Sequence, residues 1–398
     1  MSLQDTPRSN RLHIGIFGKR NSGKSSLINA LTNQQIAVVS DMAGTTTDPV
    51  YKSMEIHGIG PCVFIDTAGF DDIGDIGKLR VSQTKKAMEK TDIALMLFSE
   101  EPEPLELEWV ETLKHNHIPV LGVINKIDVI DNAEELLHIV EDKCKIPVTP
   151  VSTLTKEGID KIRAELIRAL PSDYENESIT GQLASSGDTV LLVMPQDIQA
   201  PKGRLILPQV QILRELLDKK CIVLSATTDK LEQSLAALKN PPKLIITDSQ
   251  VFKTVYEKKP PESKLTSFSV LMAGYKGDLS YFVDSAKAID RLSESSRVLI
   301  AEACTHAPLA EDIGREKIPR FLRERVGKGL TVDIVSGTDF PEDISGYDLI
   351  IHCGGCMFNR KYVLSRIEKA KTAYVPMSNY GVVIAYLSGI LDKIDLPE

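Results

Sequence analysis

The chain has 398 residues, 42% of them apolar, and its 47 basic against 55 acidic side chains leave a formal net charge of −8. That length exceeds one typical domain and suggests two or three, while the acidic balance argues against a protein whose main role is coating nucleic acid. Apolar stretches such as GVVIAYLSGIL are shorter than the roughly 20 residues a bilayer crossing needs, and the opening MSLQDTPRSNR has no apolar signal-peptide core. The expectation is a cytoplasmic protein with neither a membrane nor a nucleic-acid partner.

From residue 12 to about 170, strand-like apolar runs (LHIGIFG, PCVFIDT, DIALMLF, VLGVINK) alternate with amphipathic helical stretches, the signature of a parallel α/β sheet. PSDYENESITGQLASSGD, after the helix GIDKIRAELIRAL, has the composition of a linker. A second alternating region follows from Thr189 (TVLLVMP, QVQILRELLDK, CIVLSA, LEQSLAALK, PKLIITD), and the charged YEKKPPESK suggests the next boundary. The third region repeats the rhythm with SFSVLMAG, RVLIAEA, LTVDIVSG, YDLIIHC and the helix KYVLSRIEKAKTA. The fold class is therefore α/β in three domains, 1–172, 173–260 and 261–398, a P-loop parallel sheet followed by two further α/β domains.

GKRNSGKSS, residues 18–26, fits G-x-x-x-x-G-K-[ST] between a strand-like and a helix-like run, the context the motif requires. Gly18 and Gly23 let the backbone curl so that its N–H groups, with those of Asn21, Ser22 and Ser26, face phosphate at a helix N-terminus. Lys24 would reach the β- and γ-phosphates, and Ser25 would ligate Mg2+. In DTAGF, Asp66 follows a strand and can hold Mg2+ through water, and the Gly69 amide can sense the γ-phosphate. In NKID, Asp128 can accept both the N1 and exocyclic N2 protons of guanine, which adenine lacks, so the nucleotide is GTP. Asn125, the stem of Lys126 and Ser152 complete the base pocket.

The segment AGTTTD, residues 43–48, together with these motifs resembles GTPases of the Era and TrmE type, whose first switch carries G-T-T-R-D. The resemblance makes Thr46 the Mg2+ ligand, with Thr45 the close alternative and Thr47 where that group has arginine. Phe70 stands where Ras-like GTPases place a water-orienting glutamine, so intrinsic hydrolysis should be slow. In TrmE-like relatives an asparagine at the position of Asn21 helps hold K+ beside the phosphates, which implies K+ stimulation here. Asp71, Asp72 and Asp75 are water-orienting candidates to which no role is assigned.

Of the six cysteines, Cys62, Cys144 and Cys221 are isolated and read as small buried hydrophobes. The others lie near histidines: Cys304-Thr-His306, then, after 45 residues (307–351), His352-Cys353-Gly-Gly-Cys356. RVLIAEA and YDLIIH are buried-strand patterns, so both groups would emerge at the carboxyl ends of parallel strands, where open α/β sheets place their sites. A structural zinc, a 4Fe-4S cluster and a redox C-x-x-C all fit the residue types, and spacing leaves the three open.

The combination of an Era/TrmE-like GTPase segment, a middle α/β region and C-x-H…H-C-x-x-C resembles, over essentially the whole chain, the HydF-type maturation GTPases of iron-iron hydrogenases; FVDSAKAIDRL, DIGREKIPRFL and NYGVVIAYLSG extend the likeness. That resemblance implies a GTPase domain, a dimerisation domain and an iron-sulfur domain, a homodimer, and a 4Fe-4S cluster on Cys304, Cys353 and Cys356. His306 and His352 belong to the motif with their roles open. It further implies a carrier that takes the two-iron subcluster precursor from two radical-SAM maturation enzymes and passes it to the apo-hydrogenase, with the GTPase as switch. The competing expectation is a tRNA-modification or ribosome-assembly GTPase with a structural zinc.

Overall fold

The computed structural model describes residues 7–32, 49–56, 58–71, 75–171, 178–195, 205–303 and 312–397. Thr45, Thr46, Thr47, Asp72, the Asp75 side chain, Cys304 and His306 lie outside the described residues. The chain divides into two compact units, 1–175 and 176–398.

The first unit is built on six strands, β1 (Leu12–Gly18), β2 (Val50–Ile56), β3 (Gly60–Asp66), β4 (Ile93–Phe98), β5 (Val120–Ile124) and β6 (Val148–Pro150), in the order β2-β3-β1-β4-β5-β6. All neighbours run parallel except β2, which lies antiparallel on β3 at the edge. The apolar runs in β1, β4 and β5 are buried along their whole length because helices cover both faces. On one face Ile14, Ile16 and Leu95 pack with Leu27 and Leu31 of the helix Lys24–Thr32 and with Ile162 and Leu166 of Ile159–Arg168. On the other, Phe17, Met96 and Phe98 pack with Trp109 and Leu113 of Pro104–His115 and with Val140 of Ala133–Cys144.

The second unit holds two all-parallel four-stranded sheets. One comprises β7 (Thr189–Val193), β8 (Ile222–Ala226), β9 (Leu244–Thr247) and β10 (Lys264–Ser267) in the order β10-β9-β7-β8. The other comprises β11 (Arg297–Glu302), β12 (Thr331–Ser336), β13 (Leu349–His352) and β14 (Met377–Asn379) in the order β12-β11-β13-β14. A continuous apolar cluster joins them, with Leu191, Ile245 and Leu265 from the first sheet and Leu299, Ile350 and Met377 from the second.

Three details depart from the sequence expectation. The middle sheet takes its edge strand β10 from beyond the charged YEKKPPESK, so the boundary placed at 260 falls inside that sheet. The run SFSVLMAG is not one strand: Ser267 ends β10 and its hydroxyl accepts from Val270 N at 3.1 Å, capping the helix Phe268–Lys276. The latter part of the expected linker is anchored, since Ile179, Leu183 and Ala184 enter the core and Glu215 accepts from Ser178 Oγ, Ile179 N and Thr180 N. No helix among the described residues is long and apolar enough to cross a membrane.

Candidate functional site: a phosphate loop and a half-buried cysteine turn

β1 runs out at Gly18, and the chain turns through Asn21 (φ 57°) and Gly23 (φ 92°) into the helix that begins at Lys24. Gly23 is required twice over: its φ is left-handed, and a Cβ there would sit 2.1 Å from Asn125 Nδ2. Ser22, almost fully buried, donates through Oγ to Lys19 O at 2.9 Å, closing the loop on itself. Lys24 lies along the loop with Nζ donating to Gly18 O (2.9 Å) and Lys19 O (2.7 Å). Ser26 is half-buried in the first helical turn.

At the carboxyl end of β3, Asp66 accepts from Ser25 Oγ at 2.7 Å through Oδ2, while its buried Oδ1 has no hydrogen-bond partner. Burial raises the Asp66 pKa, and Ser25, Lys24 and Lys52 oppose that rise. An orphaned carboxylate oxygen beside a hydroxyl and a phosphate-loop lysine suits a hard divalent cation that keeps several waters. Gly69 passes so close to the loop that a Cβ would meet Arg20 N at 2.8 Å, and Asp71 Oδ1 accepts from that same amide at 2.8 Å. The Phe70 ring points into the core and stacks on Trp109 (centroids 5.4 Å), which in turn stacks on Phe17 (6.2 Å).

The base-side residues converge. Asn125 Nδ2 donates to Ser22 O (3.0 Å) and its Oδ1 accepts from Thr153 N (3.3 Å), tying both loops to the phosphate loop. Ser152 Oγ donates to Asp128 Oδ1 at 2.5 Å and accepts from Thr155 N at 3.1 Å, which fixes the carboxylate. Lys126 Nζ donates to Asn21 O at 2.7 Å. Sequence reasoning missed Lys19, which meets Glu100 (3.0 Å), Glu103 (2.9 Å) and the buried Glu106 (3.2 Å). Burial alone would lower the Lys19 pKa, but these carboxylates more than reverse it; burial raises that of Glu106. Only the run of glutamates in SEEPEPLELE hinted at such a partner.

In the second unit, β13 ends at His352 and Cys353 N donates to Ala301 O at 2.9 Å, one step beyond the β11 ladder. Ala303, the residue before Cys304, donates its amide to Cys353 Sγ at 2.9 Å. Burial pushes the Cys353 thiol up to about 11, against N–H donors from Gly355 and Ala303. Cys356 is half-buried one turn on, and Cys62, Cys144 and Cys221 are buried elsewhere.

His352 is fully buried. Its Nε2 accepts from Arg366 Nη1 (2.9 Å), because a guanidinium only donates, so Nδ1 carries the proton to Cys353 O (2.6 Å). Burial and then the Arg366 charge push its pKa down to about 3. Both ring nitrogens are thus engaged by protein, and the imidazole has no lone pair left for a metal in this arrangement. Among the described residues no group of three or more histidine, cysteine or acidic side chains could hold a metal ion; the expected set needs residues 304 and 306.

The profile of the hydrogen maturase F dimerization domain matches residues 179–277, and that of its tetramerization domain matches 280–395. The chain belongs to the hydrogen maturase F family. The profile described as 50S ribosome-binding GTPase matches residues 13–126 of its first unit. The tRNA modification GTPase MnmE of Chromobacterium violaceum is 34% identical over 170 residues, 42% of this chain and 37% of the relative. GTPase Der of Wolinella succinogenes is 36% identical over 186 residues, 44% of this chain and 38% of the relative. The chain therefore spans well under half the length of these curated relatives. A crystal structure of Era in complex with MgGDPNP and 16S ribosomal RNA nucleotides, 20% identical, aligns over 57% of this chain and 97% of its own with a TM-score of 0.38. The first unit thus carries a GTPase-domain match, and the second carries matches to the dimerization and tetramerization domains of hydrogen maturase F.

Proposed function

We propose that this GTPase is a metallocluster scaffold and carrier: it receives the two-iron precursor from two radical-SAM maturation enzymes and delivers it to apo iron-iron hydrogenase. Cys304, Cys353 and Cys356 hold its resident 4Fe-4S cluster. The observation that carries this reading is the 2.9 Å bond from Ala303 N to Cys353 Sγ, which brings the chain leading into Cys304 against the C-x-x-C turn. The donor set fits: the Cys353 thiol lies just past the end of β13 and takes an N–H···S contact from just past the end of β11. When bound, the cluster supplies a site at which one iron lacks a cysteine and can take an exchangeable ligand. His352 orients the cysteine turn through Cys353 O rather than ligating iron.

In the first unit, Lys24 and the amides of 21–26 bind the phosphates, Ser25, Asp66 and Thr46 serve Mg2+, and Gly69 reports the γ-phosphate. Asn125, Lys126, Asp128 and Ser152 hold guanine, and Asn21 takes K+. Intrinsic hydrolysis is slow because Phe70 is packed on Trp109 and has no group to orient water. Nucleotide state then biases partner affinity, for which about 1–3 kcal/mol of differential binding suffices. We place the boundary between the dimerization and cluster-binding segments after residue 277, because β10 completes the middle sheet.

The test is anaerobic reconstitution with iron and sulfide, then metal and sulfide analysis and reduced-state EPR of wild type and Cys353→Ala. About four irons with matching sulfide, and a signal lost in the variant, are expected. One zinc and no sulfide would overturn the carrier in favour of a GTPase with a structural metal.

A further inference from the structure

The helix Arg360–Thr372 buries one face, and on that face, among Tyr362, Val363, Ile367 and Ala370, sits Arg366. Arg366 is only 3% exposed, and its guanidinium lies between the rings of Phe340 (4.8 Å), Phe358 (4.8 Å) and Tyr362 (4.5 Å). Nη1 donates to His352 Nε2 (2.9 Å) and Nη2 to Gly337 O (2.7 Å) and Tyr362 Oη (3.1 Å), while Nε has no partner. Among the described residues, every group that Arg366 hydrogen-bonds or stacks on is neutral. By contrast, the half-buried Arg315, in the helical turn Ile313–Lys317, meets Glu302 at the end of β11 at 2.9 Å.

A buried cation without a counter-ion is expensive, and chains normally pair it or replace it with an apolar residue. Its one polar route to another functional group leads through the His352 ring to the Cys353 carbonyl. A thiolate-held iron-sulfur cluster carries net negative charge that grows on reduction, and fixed charge nearby sets its potential.

We infer that Arg366 is the built-in counter-charge of the cysteine turn, positioned by its aromatic cage and by His352 to stabilise the more negative, reduced state of the group bound there. This rests on the iron-sulfur reading above. It makes Arg366 a positioning residue that acts through charge and through His352, without touching the cluster.

The experiment is an EPR-monitored potentiometric titration, with dithionite as reductant, of the full-length protein reconstituted with iron and sulfide: wild type, Arg366→Gln, Arg366→Met, Arg366→Lys and Tyr362→Phe. Both neutral variants should shift the midpoint to more negative potential, changing the oxidised-to-reduced ratio at fixed potential by about tenfold, or about 59 mV for one electron. Arg366→Lys, which keeps the charge, and Tyr362→Phe, which keeps the guanidinium, should stay close to wild type. A wild-type midpoint in the neutral variants overturns the inference, and so does loss of folded protein in both, which would make the guanidinium part of the scaffold. Wild type without sulfide would instead defeat the iron-sulfur reading itself.

Discussion

Replacing Asp128 by asparagine tests the assignment of the base pocket. The carboxylate is held from behind by Ser152 Oγ at 2.5 Å, and Ser152 is itself fixed by Thr155 N, so the acceptor is oriented before any base arrives. Guanine offers it two N–H donors, each charge-assisted bond contributing about 1.5–3 kcal/mol. Asp128 is exposed, which favours the low end, so losing both amounts to about 3 kcal/mol, or roughly a hundredfold in Kd. Asparagine supplies an N–H donor where xanthine has a carbonyl. Asp128→Asn should therefore gain affinity for xanthosine nucleotides as it loses guanosine nucleotides, in paired titrations with fluorescent GDP and XDP analogues. Ser152→Ala serves as control: it removes one donor to the carboxylate, about 1 kcal/mol or fivefold, and should leave base preference unchanged. Equal losses for both nucleotides in Asp128→Asn would refute the reasoning, because the residue would then be shaping the loop rather than reading the base.

Gly23→Ala should abolish nucleotide binding by calorimetry and destabilise the first unit by about 2–4 kcal/mol in urea melts, since the new Cβ would overlap Asn125 Nδ2 at a left-handed φ. GTP hydrolysis should be faster in K+ than in Na+, and Asn21→Ala should level the two; equal wild-type rates would remove Asn21 from the cation site. Glu215 gives a pH prediction. Burial would raise its pKa, but bonds from Thr180, Ile179 and Ser178 prevail and lower it, so its contribution is present above the unfolded value and lost as pH falls through the folded one. Glu215→Gln should therefore lower stability by about 1–3 kcal/mol at neutral pH, with the gap to wild type closing below about pH 4.3 in denaturant melts.

What the sequence discloses about this molecule follows from how local each feature is. β1, β4 and β5 are legible because a strand covered on both faces is a continuous apolar run. The edge strand β2 (VYKSMEI) is not, because it is mostly exposed or half-buried and Lys52, Ser53 and Glu55 interrupt its apolar residues. SFSVLMAG misleads for the opposite reason: a short apolar run fits either a buried strand or a buried helix, and only the cap at Ser267 separates them. The phosphate loop is legible because its geometry is written in consecutive residues. The Lys19 network is not, since its glutamates lie some 80 positions away on another element.

The cysteine turn divides along the same line. Its thiols can be read from spacing and strand ends, but the question of whether His352 ligates metal could not be answered without Arg366. In KYVLSRIEKAKT that arginine looks like any other charge on a basic helix. Its one signal is register: Tyr362, Val363, Arg366, Ile367 and Ala370 recur at the spacing of a buried stripe, and a charge on such a stripe needs a reason. The fold supplies the reason by setting that stripe against β13, so that the guanidinium takes the lone pair of His352 that a metal would have used. On the two proposals above, residues of the two kinds act together, those named by the motif holding the resident cluster and one outside it setting the charge under which they do so.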